Sequence, residues 1–116
     1  LVDSIAKKIH VTEELAKHAG IGNVRTVRAR AEHLREKYDF IVSRAVTSLP
    51  TFHGWVRKLV HPASRNQRPN GIIALKGGAL QEEIAPFGEQ VSLHPVSTWF
   101  SEEWFREKYV VYLPVK

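Results

Sequence analysis

The sequence predicts an α/β fold in which a mostly parallel sheet ends in an antiparallel hairpin. Short apolar segments rich in β-branched residues alternate with segments of helical periodicity, which is typical of right-handed βαβ units in three layers. The segments 38–43 and 71–75 are predominantly apolar, as expected for strands buried on both faces. The last two predicted strands, 91–96 and 108–115, have too short a connection for a helical crossover, so we expect them to pair antiparallel.

The first third of the chain predicts a strand end, a helix and a second strand. Asp3 and Ser4 follow two apolar residues and are typical of a strand end and a helix N-cap. Gly20 is placed to end the helix as its C′ residue. Segment 23–28 alternates as a strand does, and 29–37 predicts a short helix or loop. The helical stripe consists of Ile5, Ile9, Thr12, Ala16 and Ala19.

The remaining segments predict two further helices and an exposed loop. Pro50 suits the first turn of a helix. Segment 61–70 is polar and basic and predicts a surface loop, whereas 79–88 predicts a short helix. The apolar face of the helix that contains Pro50 holds Phe52, Trp55, Val56, Leu59 and Val60.

Length and composition are those of one globular domain. At 116 residues, 43% hydrophobic and 25% charged, the chain predicts a single domain over 1–116. It has no membrane-length apolar run, signal peptide or cysteine, so we expect a cytoplasmic protein. The six histidines lack metal-ligand spacing, and no serine lies in a nucleophile elbow. The net charge of +5 is compatible with RNA as a partner, although a solvated lysine-rich surface is the more common explanation of such a charge.

Candidate binding residues follow the predicted strands. Ligands of open parallel sheets bind at the carboxyl ends of the strands. Asp3 could accept ribose hydroxyls or cap the helix, and Glu32 could contact adenine or be a solvated acid. Arg44 must reach a cleft or find an internal partner, because an unpaired buried arginine is costly. Lys76 could bind a ligand or simply belong to a turn.

Two other segments could contact RNA. Arg65 and Arg68 in the basic loop could bind phosphates and base edges, although a plain polar loop is the more common explanation. Four aromatic side chains before the last strand could stack on bases, although such clusters more often close a hairpin over the core. These aromatic residues are Trp99, Phe100, Trp104 and Phe105.

The segments LVDS-IAKK, VRARAEHL, DFIVSRAVTSLP and IIALKGG, in this order, resemble the bacterial glucose-inhibited division protein B family. The resemblance is weak after Gly88. It implies a Rossmann-like class I methyltransferase fold and transfer from S-adenosyl-L-methionine to guanine N7 in small-subunit ribosomal RNA. By resemblance, Asp3 holds the cofactor ribose, and Ala31 and Glu32 lie against adenosine. Arg44 lies in the cofactor pocket, Lys76 lines the RNA side, and the small ribosomal subunit is the partner.

The resemblance also implies that the chain lacks the family's first strand and its glycine-rich loop, so we expect the chain alone to be inactive. The edges at 1–3 and 38–43 would then pair with each other or with a second chain. Because guanine N7 has its own lone pair, we expect no catalytic acid, base or nucleophile. Two alternatives stay open: an RNA-binding module without catalysis, and a nicotinamide-dependent Rossmann enzyme that uses Asp3.

Overall fold

The structure is a computed structural model that describes residues 1–44, 47–78 and 80–115. Its backbone divides into two compact units, Leu1–Arg35 and Glu36–Lys116. The single domain that we expected over the whole chain stays a prediction. None of the helices in the described residues combines the length and the apolar character that a membrane span requires.

The first unit contains a two-stranded parallel sheet and one helix. Its elements are β1 (Val2–Asp3), α1 (Ala6–His18) and β2 (Val27–Arg28), followed by a 3₁₀ turn (Ala31–His33). Val2 pairs with Val27, and Asp3 pairs with Arg28. The strand predicted over 23–28 is therefore shorter than expected, because its partner β1 has only two residues.

Helix α1 ends as the sequence predicts. Gly20 has φ of +69°, which is the left-handed conformation that glycine adopts without a Cβ clash. The Gly20 N–H donates to the Lys17 carbonyl, and the Ile21 N–H donates to the Ala16 carbonyl. These two bonds form a Schellman motif and confirm Gly20 as the C′ residue. Of the predicted apolar stripe, however, only Ile9 is buried, because this small unit has few apolar side chains to cover it.

The second unit contains a four-stranded mixed sheet and two α-helices. Its strands lie in the order β3-β4-β6-β5, with β3 parallel to β4 and with β6 antiparallel to both neighbours. The predicted antiparallel hairpin is confirmed. Strands β1 and β3 belong to different sheets, so the expected pairing of these two edges is not found among the described residues. The elements are β3 (Phe40–Arg44), α2 (Leu49–Val56), β4 (Gly71–Gly77), α3 (Gln81–Ile84), β5 (Ser92–Pro95) and β6 (Lys108–Pro114).

The core of the second unit lies between α2 with its following turn and the strands β4 and β6. Ile72 pairs with Leu113, and Ala74 pairs with Val111, so four buried side chains lie side by side on the two central strands. Pro50 lies in the first turn of α2, as predicted. The helix and its turn contribute Leu49, Phe52, Val56, Leu59 and Val60, whereas Trp55 is only half-buried.

Two predictions for this unit are wrong in part. Strand β3 is not buried on both faces, since Val42 is 73% exposed. Among the described residues, β3 pairs only with β4 and lies at the edge of the sheet. The helix predicted over 79–88 is α-helical only over Gln81–Ile84 and continues as a 3₁₀ segment, Ala85–Gln90. Proline in this segment removes a backbone donor, and Gly88 leaves the helical conformation with φ of +57°. Ala79 lies outside the described residues.

Candidate functional site

A cleft of about 750 Å³ lies at the carboxyl ends of the parallel strands β3 and β4. In the register of this pair, Arg44 lies opposite Leu75, so the last residue of β3 lies beside the end of β4. The ends of parallel strands share one edge of a sheet, which is where ligands bind in open α/β sheets. The cleft is lined by Arg44, Thr47, Ser48, Leu75, Lys76, Gly77, Glu83, Trp104 and Lys108.

Arg44 lies in the wall of this cleft with its side chain exposed. Among the described residues its guanidinium has no ion-pair or hydrogen-bond partner. The sequence allowed Arg44 either to reach a cleft or to pair with an internal partner, and in the structure it reaches the cleft. An unpaired guanidinium beside a cavity is available to an anion or to a planar acceptor.

Lys76 also lies in the cleft wall, but its ammonium group is engaged. It donates to the Thr47 carbonyl and lies 3.2 Å from a carboxylate oxygen of Glu83. The same Glu83 oxygen accepts the N–H of Leu49, 2.8 Å away, in the first turn of α2. The Lys76 side chain is 11% exposed. Lys76 and Glu83 therefore tie the end of β4 to the start of α2, and they shape the cleft between them.

The sequence did not predict the role of Glu83, whose carboxylate caps the first turn of α2 in place of the Ser48 hydroxyl. Ser48 precedes α2 but makes no side-chain cap to it, whereas its hydroxyl donates to Thr51. A carboxylate is favoured near the positive end of a helix. The sequence signal that could have found it is the pair of acidic residues, Glu82 and Glu83, shortly after the predicted turn at Lys76.

The opposite wall contains Lys108 and Trp104, which the sequence analysis did not assign to the site. The Lys108 ammonium lies 5.0 Å from the centroid of the Trp104 ring, within the range of a cation–π contact. Lys108 pairs with Gly77 across β4 and β6, and its ammonium lies 2.8 Å from where a Cβ at Gly77 would stand. The Trp104 side chain is 65% exposed and does not cover the core.

Asp3 and the Ala31–Glu32 pair lie in the first unit. One carboxylate oxygen of Asp3 accepts the Ile5 N–H at 2.9 Å and shapes the entry into α1. Its other oxygen has no partner among the described residues. The Asp3 carbonyl accepts the N–H of Ala29, two residues before Ala31, so the end of β1 lies against this segment. Glu32 forms a long contact of 4.0 Å with Arg30.

The common rim expected for Asp3, Glu32, Arg44 and Lys76 stays a prediction, because these residues belong to two separate units. In the second unit, Arg44 ends β3 and Lys76 lies near the end of the parallel strand β4. In the first unit, Asp3 ends β1, and Glu32 lies four residues after the end of β2, in the 3₁₀ turn. Among residues 1–44, 47–78 and 80–115, no three His, Cys, Asp or Glu side chains are grouped as a metal site would require.

Arg65 and Arg68 lie away from the cleft, in the loop before β4. The Arg65 guanidinium lies 3.2 Å from the Asp39 carboxylate at the start of β3, and the Asn66 amide donates to the same oxygen. These hydrogen bonds, first Asn66 and then Arg65, lower the pKa of Asp39. The guanidinium carbon of Arg68 lies 5.9 Å from the centroid of the Tyr112 ring. Both arginines therefore lie near the amino ends of the strands, about 20 Å from the cleft by strand length.

Comparison with known proteins identifies the family of the chain. A family model for GidB, described as rRNA small subunit methyltransferase G, matches residues 1–108. The chain belongs to this family. A protein of Porphyromonas gingivalis named ribosomal RNA small subunit methyltransferase G is 48% identical over 116 residues, which are 99% of this chain and 52% of that protein.

Two further relatives have the same name. The one from Cytophaga hutchinsonii is 46% identical over 98% of this chain and 55% of its own length. The one from Bacteroides fragilis is 44% identical over 99% of this chain and 56% of its own length. The chain thus spans about half the length of the curated relatives it matches. The family resemblance read from the four sequence segments is confirmed.

Proposed function

We propose that the full-length protein carrying this sequence transfers a methyl group from S-adenosyl-L-methionine to N7 of a guanine in small-subunit ribosomal RNA. The observation that carries this proposal is the family match over residues 1–108. The cation-lined cleft at the carboxyl ends of β3 and β4 supports it, since anionic and planar ligands both suit such a site. The proposal includes a Rossmann-like class I sheet, a cytoplasmic location and the small ribosomal subunit as partner.

The residues proposed to hold the cofactor are Asp3, Ala31, Glu32 and Arg44. The chemistry of the donor set fits this cofactor. Asp3 keeps one carboxylate oxygen without a partner, and a ribose diol donates to such an acceptor. The small Ala31 side chain follows the segment that is bonded to β1, so a flat ring could approach the backbone there. When bound, the cofactor supplies the methyl group on a sulfonium centre.

Guanine N7 carries its own lone pair, so the proposed reaction needs no protein base. What the chain contributes is orientation and a polar setting for charge that moves towards the base. Arg44 fits this role because its guanidinium lies at the cleft and pairs with no side chain of the described residues. Lys76 would act on the RNA side chiefly by holding the cleft in shape, since its ammonium is already engaged. Arg65 and Arg68 would contact RNA at the other end of the sheet.

The test is methyl transfer by the full-length protein with small-subunit RNA and with assembled small subunits, followed by digestion and detection of 7-methylguanine. We expect Arg44→Ala to lower methyl transfer by about ten-fold or more, as loss of a charge-assisted contact does. Arg57→Ala is the matched control, because Arg57 is exposed and lies outside the cleft. Equal methylation by wild type and Arg44→Ala would remove Arg44 from the site.

The alternative of an RNA-binding module without catalysis is supported by the net charge of +5. It predicts RNA affinity that falls steeply with salt, together with no 7-methylguanine in the digest. Calorimetry with S-adenosyl-L-methionine and with a nicotinamide dinucleotide separates the proposed function from a nicotinamide-dependent enzyme. Binding of the nicotinamide cofactor alone would overturn the proposal.

We also propose that this chain on its own self-associates through the free edge of β3. Strand β3 pairs with β4 alone among the described residues, and its Val42 is 73% exposed. An exposed apolar edge is a template for another strand. Sedimentation should detect a dimer or larger species that Val42→Lys reduces. A monomer at all concentrations would contradict this proposal.

A further inference from the structure

Trp104 is a large aromatic side chain that the proposed function leaves unused. It is 65% exposed although Lys108 and Phe105 both lie against it. Burying an exposed indole is one of the larger gains that a single side chain can contribute to binding. Because Trp104 also lines the cleft at the end of β4, whatever enters that cleft meets an open indole surface.

The charges around this indole favour an anionic occupant. Three cations line the cleft against one carboxylate, and that carboxylate, Glu83, is already paired with Lys76. Arg44 and Lys108 are left without an acidic partner among the described residues. On the loop that carries Trp104, the nearest acidic neighbour, Glu103, lies 3.7 Å from Arg106 in an ion pair. An apolar peptide or a lipid tail would leave Arg44 and Lys108 unmatched.

An unpaired nucleotide matches both halves of the arrangement. Its base has a flat π-face that stacks on an indole, and its phosphate is the anion that lysine and arginine bind. A double-stranded segment does not match, because its bases are already stacked on each other and present only their edges.

We infer that Trp104, Lys108 and Arg44 form a subsite for one unpaired nucleotide of an RNA substrate. The base stacks on the Trp104 indole, and the phosphate lies between the ammonium of Lys108 and the guanidinium of Arg44. This inference deepens the proposed function and rests on it for the identity of the RNA. The subsite itself depends only on the side chains of the cleft.

The test compares Trp104→Ala, Trp104→Phe and Trp99→Ala in the full-length protein. Trp99 is a matched control, since it is 60% exposed on the same connection but does not line the cleft. The probe is a guanine-containing single-stranded oligoribonucleotide of about ten residues, and binding is followed by fluorescence anisotropy. We expect Trp104→Ala to weaken binding roughly ten-fold or more, as removal of a stacking platform does. Trp104→Phe should retain most of the affinity, and Trp99→Ala should bind as wild type does.

A series of abasic oligoribonucleotides, each lacking one base, distinguishes stacking on Trp104 from a purely structural role of this side chain. Removing the base that stacks should weaken binding to the wild type but leave binding to Trp104→Ala unchanged, because both changes delete the same contact. Additive losses at every position would overturn the inference. So would unchanged affinity in Trp104→Ala, the result expected if this surface contacts a protein instead.

The result separates the subsite from the proposed function. A wild type that binds the oligoribonucleotide through Trp104 but forms no 7-methylguanine would retain the subsite and overturn the function. If the wild type methylates RNA and Trp104→Ala does so at the same rate and with the same KM, the proposed function is retained and the subsite is overturned.

Discussion

The two ends of the strands β3 and β4 both carry cations, but the environments of these cations differ. At the amino ends, Arg65 contacts Asp39, and Arg68 lies against the ring of Tyr112. At the carboxyl ends, Arg44 lies beside a cleft and has no partner in the described part of the chain. Basic residues in a surface loop are therefore a weaker indication of a binding site than a single cation at the carboxyl end of a strand. The two ends differ in whether each cation already has a partner in the folded chain, and the sequence alone does not show those partners.

The amino end is also the more closely packed end. Asn70 is buried, and its amide donates to the carbonyls of His61 and Ala63, which holds the basic loop closed. The next residue, Gly71, begins β4 where the backbone of β6 passes very close. We interpret the packing at this end as structural support for the basic loop, and we place the proposed reaction at the cleft end. The substitutions below test that division, from the largest expected effect to the smallest.

Gly71→Ala should cost the most stability. A Cβ at this position would lie 2.2 Å from the Leu113 carbonyl oxygen and 2.8 Å from the Pro114 Cα. Backbone atoms of a paired strand cannot move aside as a side chain can, so we expect a loss of about 3 kcal/mol in the free energy of unfolding. Urea denaturation measures it.

The control for this substitution is Gly54→Ala inside α2, where an added Cβ meets nothing within 4 Å. Alanine is the better helix former, so this variant should be more stable than wild type by about 0.5–1 kcal/mol. Equal destabilisation of both variants would show that the close approach of β6 to Gly71 is not the cause.

Glu83→Ala should have an intermediate effect at the cleft end. It removes the acceptor for the Leu49 N–H and leaves the ammonium of Lys76 without its carboxylate. We expect a loss of about 1–3 kcal/mol, because both partners are largely buried. Glu83→Gln keeps an acceptor for Leu49 and should lose less.

A double-mutant cycle with Lys76→Met isolates the ion pair. If Lys76 and Glu83 act together, the double variant Lys76→Met, Glu83→Gln should be more stable than the sum of the single losses predicts. Strict additivity would mean that the two side chains act independently, and Lys76 would then be free for a ligand.

Asp39→Asn should have the smallest effect, and this effect should disappear in acid. Hydrogen bonds from Asn66 and Arg65 lower the pKa of Asp39 below its ordinary value of 3.8 in the folded protein. The stability that this carboxylate contributes is therefore complete above that ordinary value, and it is lost as the pH falls through the lowered pKa. Stability curves of wild type and variant should converge below pH 3.8. A constant difference between pH 5 and pH 2 would contradict the role of ionisation.

Local sequence patterns predicted the elements whose causes are local. Gly20 ends α1 because glycine adopts positive φ, and Pro50 lies in the first turn of α2 because proline presets the helical φ there. The antiparallel hairpin of β5 and β6 followed from the length of their connection. Burial of β3 could not be predicted in this way, because Val42 is exposed or covered according to what packs on its face of the sheet.

The residues of the candidate site also differ in whether local sequence patterns could predict them. Arg44 and Lys76 could be placed at one edge from the alternation of strands and helices, since parallel strands end on the same side. Glu83 and Lys108 could not, because they enter the cleft through contacts with residues that are distant in sequence. The exposed indole of Trp104 was read as cover for the core, as aromatic residues beside a hairpin usually are.

The sequence by itself determined the family, the order of the elements and the strand ends that carry the candidate binding residues, because each depends on motifs or on periodicity along the chain. Only the tertiary structure decided which charges are paired, which edge of β3 stays open and which aromatic ring faces the cleft. A charge or an apolar surface acquires its energetic meaning from what lies against it, and those neighbours come from other parts of the chain.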